Sequence, residues 1–293
     1  MFGQIIAVKG NHYTIYSGST NFEYEATISR KLPMQNETIV AVGDKVEFQI
    51  HNESDAIITS VEQRERKIAR LLRHPKDFVQ VIATNIDQLF IVVTWSAPIF
   101  RSGMVDRFLV IGLRESIPVT IIVNKIDLTS EPPPSFKWYQ ENLPVLHCSC
   151  QTGKNIEQVK ALLTGKTTVL IGQSGVGKSS LINAIVPQAP MKTAPLRLKV
   201  NKGRHTTTIS IAFPMPQSGL IIDTPGIRHL MLEKMDTHEW QWYFPEFRPH
   251  ANYCQFNDCL HLEEPRCGVK EAVAQGIIHP GRYQTYQRLL NAI

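Results

Sequence analysis

Residues 172–180 read Gly172, Gln173, Ser174, Gly175, Val176, Gly177, Lys178, Ser179, Ser180, between an apolar run, TTVLI, and a helix-forming run, KSSLINAIV. The spacing is G-x-x-x-x-G-K-S. Glycines at these places let successive backbone N–H groups turn inward around phosphate oxygens. A helix opening near Lys178 presents its positive end to the same anion. Lys178 is placed to reach the β- and γ-phosphates of a nucleoside triphosphate, and the Ser179 hydroxyl to ligate Mg²⁺. The loop asks for a triphosphate but does not choose the base.

The base is addressed elsewhere. Asn124, Lys125, Ile126 and Asp127 form N-K-x-D after the apolar run VTIIV. A carboxylate at Asp127 can accept from guanine N1–H and from its exocyclic amine. Adenine offers an acceptor at N1 and no amine, so the wrong base leaves a carboxylate unpaired, which is costly. Lys125 can lie across the base plane, and Asn124 can tie this loop to the phosphate loop. Ser149 and Cys150, at the end of LPVLHCSC, stand where a backbone N–H would meet guanine O6. GLIID ends in Asp223, followed by Thr224, Pro225 and Gly226. Asp223 can hold Mg²⁺ through water, and the Gly226 N–H can sense the γ-phosphate. In KGRHTTT, Thr206 or Thr207 should give a hydroxyl to Mg²⁺, Thr206 being the first choice. Ras-like proteins orient the attacking water with a glutamine after the DxxG glycine. Here that residue is Ile227, which cannot hydrogen-bond water. Hydrolysis should therefore be slow alone or use another residue, and His205 is the candidate catalytic group. The alternative for His205 is a contact to RNA or protein.

Cys254-x₄-Cys259-x-His261-x₅-Cys267 offers three thiolates and an imidazole. Four such ligands suit tetrahedral Zn²⁺ and leave no open position, which makes the site structural. Buried free thiols or a redox pair is the alternative. The other two of the five cysteines, Cys148 and Cys150, are expected to be buried thiols. An odd count, with no export-signal pattern at the start, argues against a disulfide framework.

These residues need elements to position them. The chain has 293 residues, 43% apolar, with a formal charge of +5 that permits an acidic partner without requiring one. No run approaches the ~20 apolar residues of a membrane span. Residues 1–65 read as five short strands, which fits a small barrel such as an OB-fold. Tyr13, Tyr16, Phe22, Tyr24 and Phe48 could stack bases there or simply fill the barrel. EQRERKIARLLRHPKDF reads as a basic connector or helix start. From about residue 80, apolar strands alternate with helices, the pattern of a parallel sheet covered on both faces. Beyond 227 the chain is mainly helical. The expected units are 1–65, 66–226 and 227–293, an α/β protein with a barrel before the nucleotide domain and a helical zinc-binding unit after it.

The parts occur in rotated order: base reader, base support, phosphate loop, threonines, then DTPG. Domain termini usually lie close together, so such a permutation is tolerable. IDQLFIVVTWSAPIF, VNKIDL, GQSGVGKSSLIN, GRHTTT, IIDTPGIR and CQFNDCLHLEEPRC together resemble the RsgA (YjeQ) family of circularly permuted GTPases. Cys150 replaces a usual alanine, and Asn155 stands where glycine is common. The resemblance implies GTP/GDP with Mg²⁺, one structural Zn²⁺, and action on the small ribosomal subunit and its rRNA. It also implies a cytoplasmic, monomeric protein without membrane attachment. Competing readings are a permuted GTPase acting on another ribosomal particle, and a GTP-regulated RNA-binding module with little turnover.

Overall fold

The structure, a computed structural model, describes residues 1–30, 32, 36–72, 78–129, 131–186, 210–215, 219–224 and 236–291. Strands β1 (Phe2–Lys9), β2 (His12–Ser17), β3 (Phe22–Ile28), β4 (Lys45–Ile50) and β5 (Asp55–Val61) form a closed ring. β1, β2 and β3 are an antiparallel meander, β3 pairs in parallel with β5, β5 with β4, and β4 returns to β1. That is the five-stranded barrel expected. Strict alternation drives it: Val46 and Phe48 of β4 point inward while Lys45 and Glu47 point out. Tyr13, Tyr24 and Phe48 are buried in its core with Ile5, Ile15 and Ile58. These three aromatics therefore cannot stack on bases. Tyr16 is half-buried and Phe22 exposed.

The basic connector is corrected by the structure. Residues Lys67–Leu72 form β6, which pairs antiparallel with β7 (Phe78–Thr84). Ile68 faces Ala83 across the pair, and both are buried. The charges that suggested a solvated linker are satisfied sideways: Lys67 Nζ meets Glu37 Oε2 at 2.5 Å, and Arg70 Nε donates to Gln80 Oε1 at 2.6 Å.

The nucleotide domain is a sheet in the order β10 (Val145–His147), β9 (Val119–Val123), β8 (Gln88–Val93), β11 (Thr167–Gly172), β13 (Leu220–Asp223), β12 (Ile211–Pro214). All pairings are parallel except β12 with β13. Helix α1 (Ser102–Arg114) covers one face; α3 (Ile156–Leu163) and α4 (Lys178–Ile185) cover the other. The period of two sorts β8 between them: Leu89, Ile91 and Val93 join the α1 side, Phe90 and Val92 the α3/α4 side. The short helix α2 (Lys137–Asn142) packs Tyr139 on the α1 side. β12 meets the barrel through Ala7 opposite Ile211.

The C-terminal unit holds a 3₁₀ segment (Thr237–Tyr243) and helices α5 (Arg248–Ala251), α6 (Gly268–Ala274) and α7 (Pro280–Leu290). Its core of Trp240, Phe244, Phe247, Tyr286 and Leu289 takes in Val110 of α1. Beside that contact lies a buried ionic anchor. Arg282 of α7 donates to Asp106 of α1 at 2.7 Å and to Glu246 at 2.6 Å. The Tyr139 hydroxyl donates to the same Asp106, and Trp138 lies 4.2 Å from the guanidinium carbon.

Candidate functional site

The phosphate loop follows β11, the strand between β8 and β13, and runs into α4. Gly175 and Gly177 have φ of 86° and 95°, in the region that favours glycine. A Cβ at Gly177 would lie 2.4 Å from Asn124 Nδ2, so this glycine also makes room for the base-reading loop. Lys178 Nζ donates to the Gly172 carbonyl at 2.9 Å, which holds the ammonium over the loop. Ser174, Ser179 and Ser180 are exposed, Gln173 is half-exposed and Val176 is buried.

Asn124 joins three segments. It is buried, its Nδ2 donates to the Val176 carbonyl at 3.0 Å, and its Oδ1 accepts from the Cys150 N–H at 3.2 Å. The tie to the phosphate loop expected from the sequence is thus present. Lys125, at φ 63°, sends its ammonium to the carbonyls of Gly175 at 2.7 Å and Ala97 at 2.9 Å. Asp127 is exposed beyond the half-exposed Ile126, and its Oδ1 accepts from the Ser149 hydroxyl. That bond fixes the carboxylate and leaves its other oxygen open to a base. The Ser149 N–H is engaged by the Lys154 carbonyl at 3.1 Å. In this conformation both loop amides are hydrogen-bonded within the protein, and the serine hydroxyl is the group directed at Asp127. Asn155 takes the left-handed conformation (φ 59°) that a glycine would supply, and its Nδ2 bonds the His147 carbonyl at 2.7 Å.

Asp223 ends β13 beside the phosphate loop. Burial raises its carboxyl above the usual range, and the Lys178 charge only partly opposes this. Its Oδ1 is buried without a hydrogen-bond partner among the described residues. A buried carboxylate oxygen with that vacancy, facing Lys178, fits the donor set of a Mg²⁺ site completed by Ser179. His205, Thr206, Thr207, Gly226 and Ile227 lie outside the described residues.

The four soft ligands are together. Their ligand atoms lie within 4.8 Å of one another. Cys254 Sγ is 3.8 Å from Cys267 Sγ, and His261 Nδ1 is 3.5 Å and 3.3 Å from those two sulfurs. Tetrahedral Zn²⁺, at about 2.3 Å to sulfur and about 2.0 Å to nitrogen, separates S from S by about 3.8 Å and N from S by about 3.5 Å. The cluster matches. Gln241 Oε1 lies 3.0 Å from His261 Nε2 and fixes the ring so that Nδ1 faces the thiols. Burial pushes the thiols of Cys259 and Cys267 up, the cost a bound cation would offset. Cys148 is buried and held up to about 12 by burial, as an inert core thiol should be.

Sequence reasoning missed Gln241, the Ala97 carbonyl that receives Lys125, and the Arg282 anchor. Only the N-K-x-D lysine itself signalled a partner for the second; the others carry no motif.

A parallel sheet with a phosphate loop on an inner strand, and a guanine-type reader on a strand earlier in the chain, defines a circularly permuted GTPase. The profile of the RsgA GTPase matches residues 61–233, more than half of the chain. The chain is 38% identical over 257 residues to a protein of Gemmatimonas aurantiaca named small ribosomal subunit biogenesis GTPase RsgA, covering 85% of this chain and 83% of that one. The protein of the same name from Christiangramia forsetii is 34% identical over 302 residues, covering 99% and 96%. Among solved structures, YjeQ from Thermotoga maritima superposes with a TM-score of 0.75 at 30% identity, covering 99% of this chain and 97% of that one. YloQ, a circularly permuted GTPase, gives 0.69 at 28%, covering 100% and 94%. The chain belongs to the RsgA GTPase family. Membership implies guanine nucleotide and Mg²⁺, and the Cys₃His cluster is compatible with zinc. No helix among the described residues is long and apolar enough to cross a membrane.

Proposed function

We propose that this GTPase binds the small ribosomal subunit and its rRNA, assists that subunit's late maturation, and is stimulated by it, acting as a cytoplasmic monomer. The names of its relatives support the partner. The observation that carries the nucleotide site is Asn124, which locks the base reader, the base support and the phosphate loop together. In this reading Asp127 accepts from guanine, Lys125 lies over the base, and Ser149 holds Asp127 in place. Cys150 exchanges its bond to Asn124 for guanine O6. The amides of residues 172–180 orient the phosphates, and Lys178 draws off charge from the β/γ bridge. Mg²⁺, when bound, neutralises charge on the phosphates; Ser179, Asp223 and Thr206 hold it. Thr207 is the alternative to Thr206 as the Mg²⁺ hydroxyl, the Gly226 N–H senses the γ-phosphate, and His205 orients the attacking water. Cys254, Cys259, His261 and Cys267 hold one structural Zn²⁺. The working units are the barrel (1–65), the GTPase unit (66–226) and the zinc unit (227–293).

The test is GTP turnover by the purified protein, alone and with small or large subunits, with ATP as control. Stimulation by small subunits alone is expected. GTP turnover indifferent to every particle would remove the ribosome from this reading. Asp127→Asn should exchange guanine for xanthine nucleotides, because an amide donor there meets the xanthine 2-oxo group. Unchanged base preference would remove Asp127 from base reading.

A further inference from the structure

An open groove of about 370 Å³ lies between the start of α1 and the last turns of α7. Arg101, Arg107 and Arg288 line it, and among the described residues no carboxylate does. Gln173 of the phosphate loop forms part of its wall. Among the described residues Arg101 and Arg107 make no ion pair, and Arg288 meets Gln284 at 3.5 Å. Among the described residues these three guanidiniums have no counter-ion and repel one another, whereas Arg282 nearby has two carboxylates.

The floor adds to the field. The first turn of α1 has no acidic residue, and its N-cap, Arg101, makes no capping bond. The start of α1, whose Arg101, Gly103 and Met104 line the groove, therefore adds the positive end of the helix to it. Gly103 lets α7 come close: a Cβ there would lie in contact with Thr285 Oγ1 at 3.5 Å and Arg288 Nη1 at 3.9 Å, so a longer side chain would fill the floor. The Arg101 and Arg107 backbones are separated by about 9 Å along the axis, from ~1.5 Å per residue. That span suits a chain of anions better than one ion.

Building on the subunit reading above, we propose that this groove binds the phosphodiester backbone of RNA. The fork of each guanidinium matches phosphate oxygens, and an open trough of one charge suits a strand. An occupant would lie against Gln173, whose carbonyl accepts from the Val176 N–H at 3.4 Å within the loop that grips the nucleotide. RNA and nucleotide binding are then coupled, each altering the other's affinity by the same factor.

The experiment uses full-length protein, a labelled oligouridylate and small subunits, with wild type, Arg101→Gln/Arg288→Gln and Gly103→Glu. Both side chains of the double variant are exposed, and a glutamate in a first helical turn favours the helix, so neither change should unfold the protein. Unchanged melting temperature and GTP binding check this. Removing two phosphate contacts should lower the salt slope of oligouridylate binding by about 1.4. The gap from wild type should narrow about sevenfold between 50 and 200 mM salt. Gly103→Glu should weaken binding at least as much, and subunit-stimulated turnover should fall in step. Variants that bind and respond like wild type overturn the groove but leave the subunit reading intact. Wild type that binds neither subunits nor RNA overturns both. Displacement by polyglutamate with no binding of oligouridylate would assign the groove to an acidic protein segment and overturn the RNA assignment.

Discussion

Replacing Asn124 with alanine isolates the tie between the two halves of the nucleotide site. The side chain is buried, and two bonds leave it: to the Val176 carbonyl at 3.0 Å and from the Cys150 N–H at 3.2 Å. The third contact, from Cys148 Sγ at 3.9 Å, is too long to matter much. Alanine leaves the Val176 carbonyl of the phosphate loop without its partner; the Cys150 amide, released in the same change, turns to guanine O6 when nucleotide binds. An unsatisfied buried group costs about 1–3 kcal/mol. In the free protein the loops can part and let water reach the carbonyl. Nucleotide needs them together, so the cost falls mainly on binding, roughly 5- to 140-fold in Kd. Titration with a fluorescent GDP measures it, with the melting temperature of the nucleotide-free protein as control. Gly177→Ala should strike the same bond from the other side, since its Cβ would come 2.4 Å from Asn124 Nδ2. The two losses should then fail to add in the double variant. A Kd for Asn124→Ala within threefold of wild type would refute the reasoning, as would full additivity.

Three further outcomes are expected. Arg282→Ala leaves Asp106 and Glu246 charged and unpaired, costing about 3–5 kcal/mol in urea unfolding; adding Asp106→Asn and Glu246→Gln should recover part of it, and no recovery would count against a charge origin. Burial raises the Glu37 carboxyl, but Lys67 and Arg64 pull harder, so it titrates below its ordinary value of 4.5. Its stabilisation is present above that value and is lost as pH falls through the depressed one, so Glu37→Gln should flatten the acid limb of melting temperature against pH below 4.5, and parallel limbs would refute the pairing. Metal analysis should give one zinc per chain, lost in Cys254→Ser together with protease resistance of residues 236–291; full resistance without metal would assign the cluster to plain thiol packing.

What the sequence revealed, and what it hid, follows from how far each signal reaches along the chain. The phosphate loop, N-K-x-D and the cysteine cluster are local, and their strand or helix contexts sit within a few residues. The barrel's five strands were legible for the same reason. The β6–β7 hairpin was not, because KIARLL mixes basic and apolar residues without clean alternation, and its charges find partners on other elements. β12 spans only four residues, Ile211–Pro214, too short for a period to register. Tyr13 and Phe48 carried no sign of facing inward until the register was known. Asp106 and Arg282 are 176 residues apart, and nothing in either neighbourhood announces the other.

The strand order also sets a timetable for synthesis. β8, whose six residues are all buried in the finished sheet, leaves the ribosome before its inner neighbour β11 exists. Until residues 167–172 emerge, β8 presents an unpaired apolar edge, with β9 able to cover only its other side. β1 waits longer still, since its partner across the barrel–sheet seam begins at Ile211. A nascent chain of this protein therefore carries open seams through most of its translation, and the late strands β11 and β13 close the sheet from the middle. Slow translation before residues 167–172 have emerged would lengthen that exposure, whereas a pause after β13 has left the ribosome would fall when the seams can be shut.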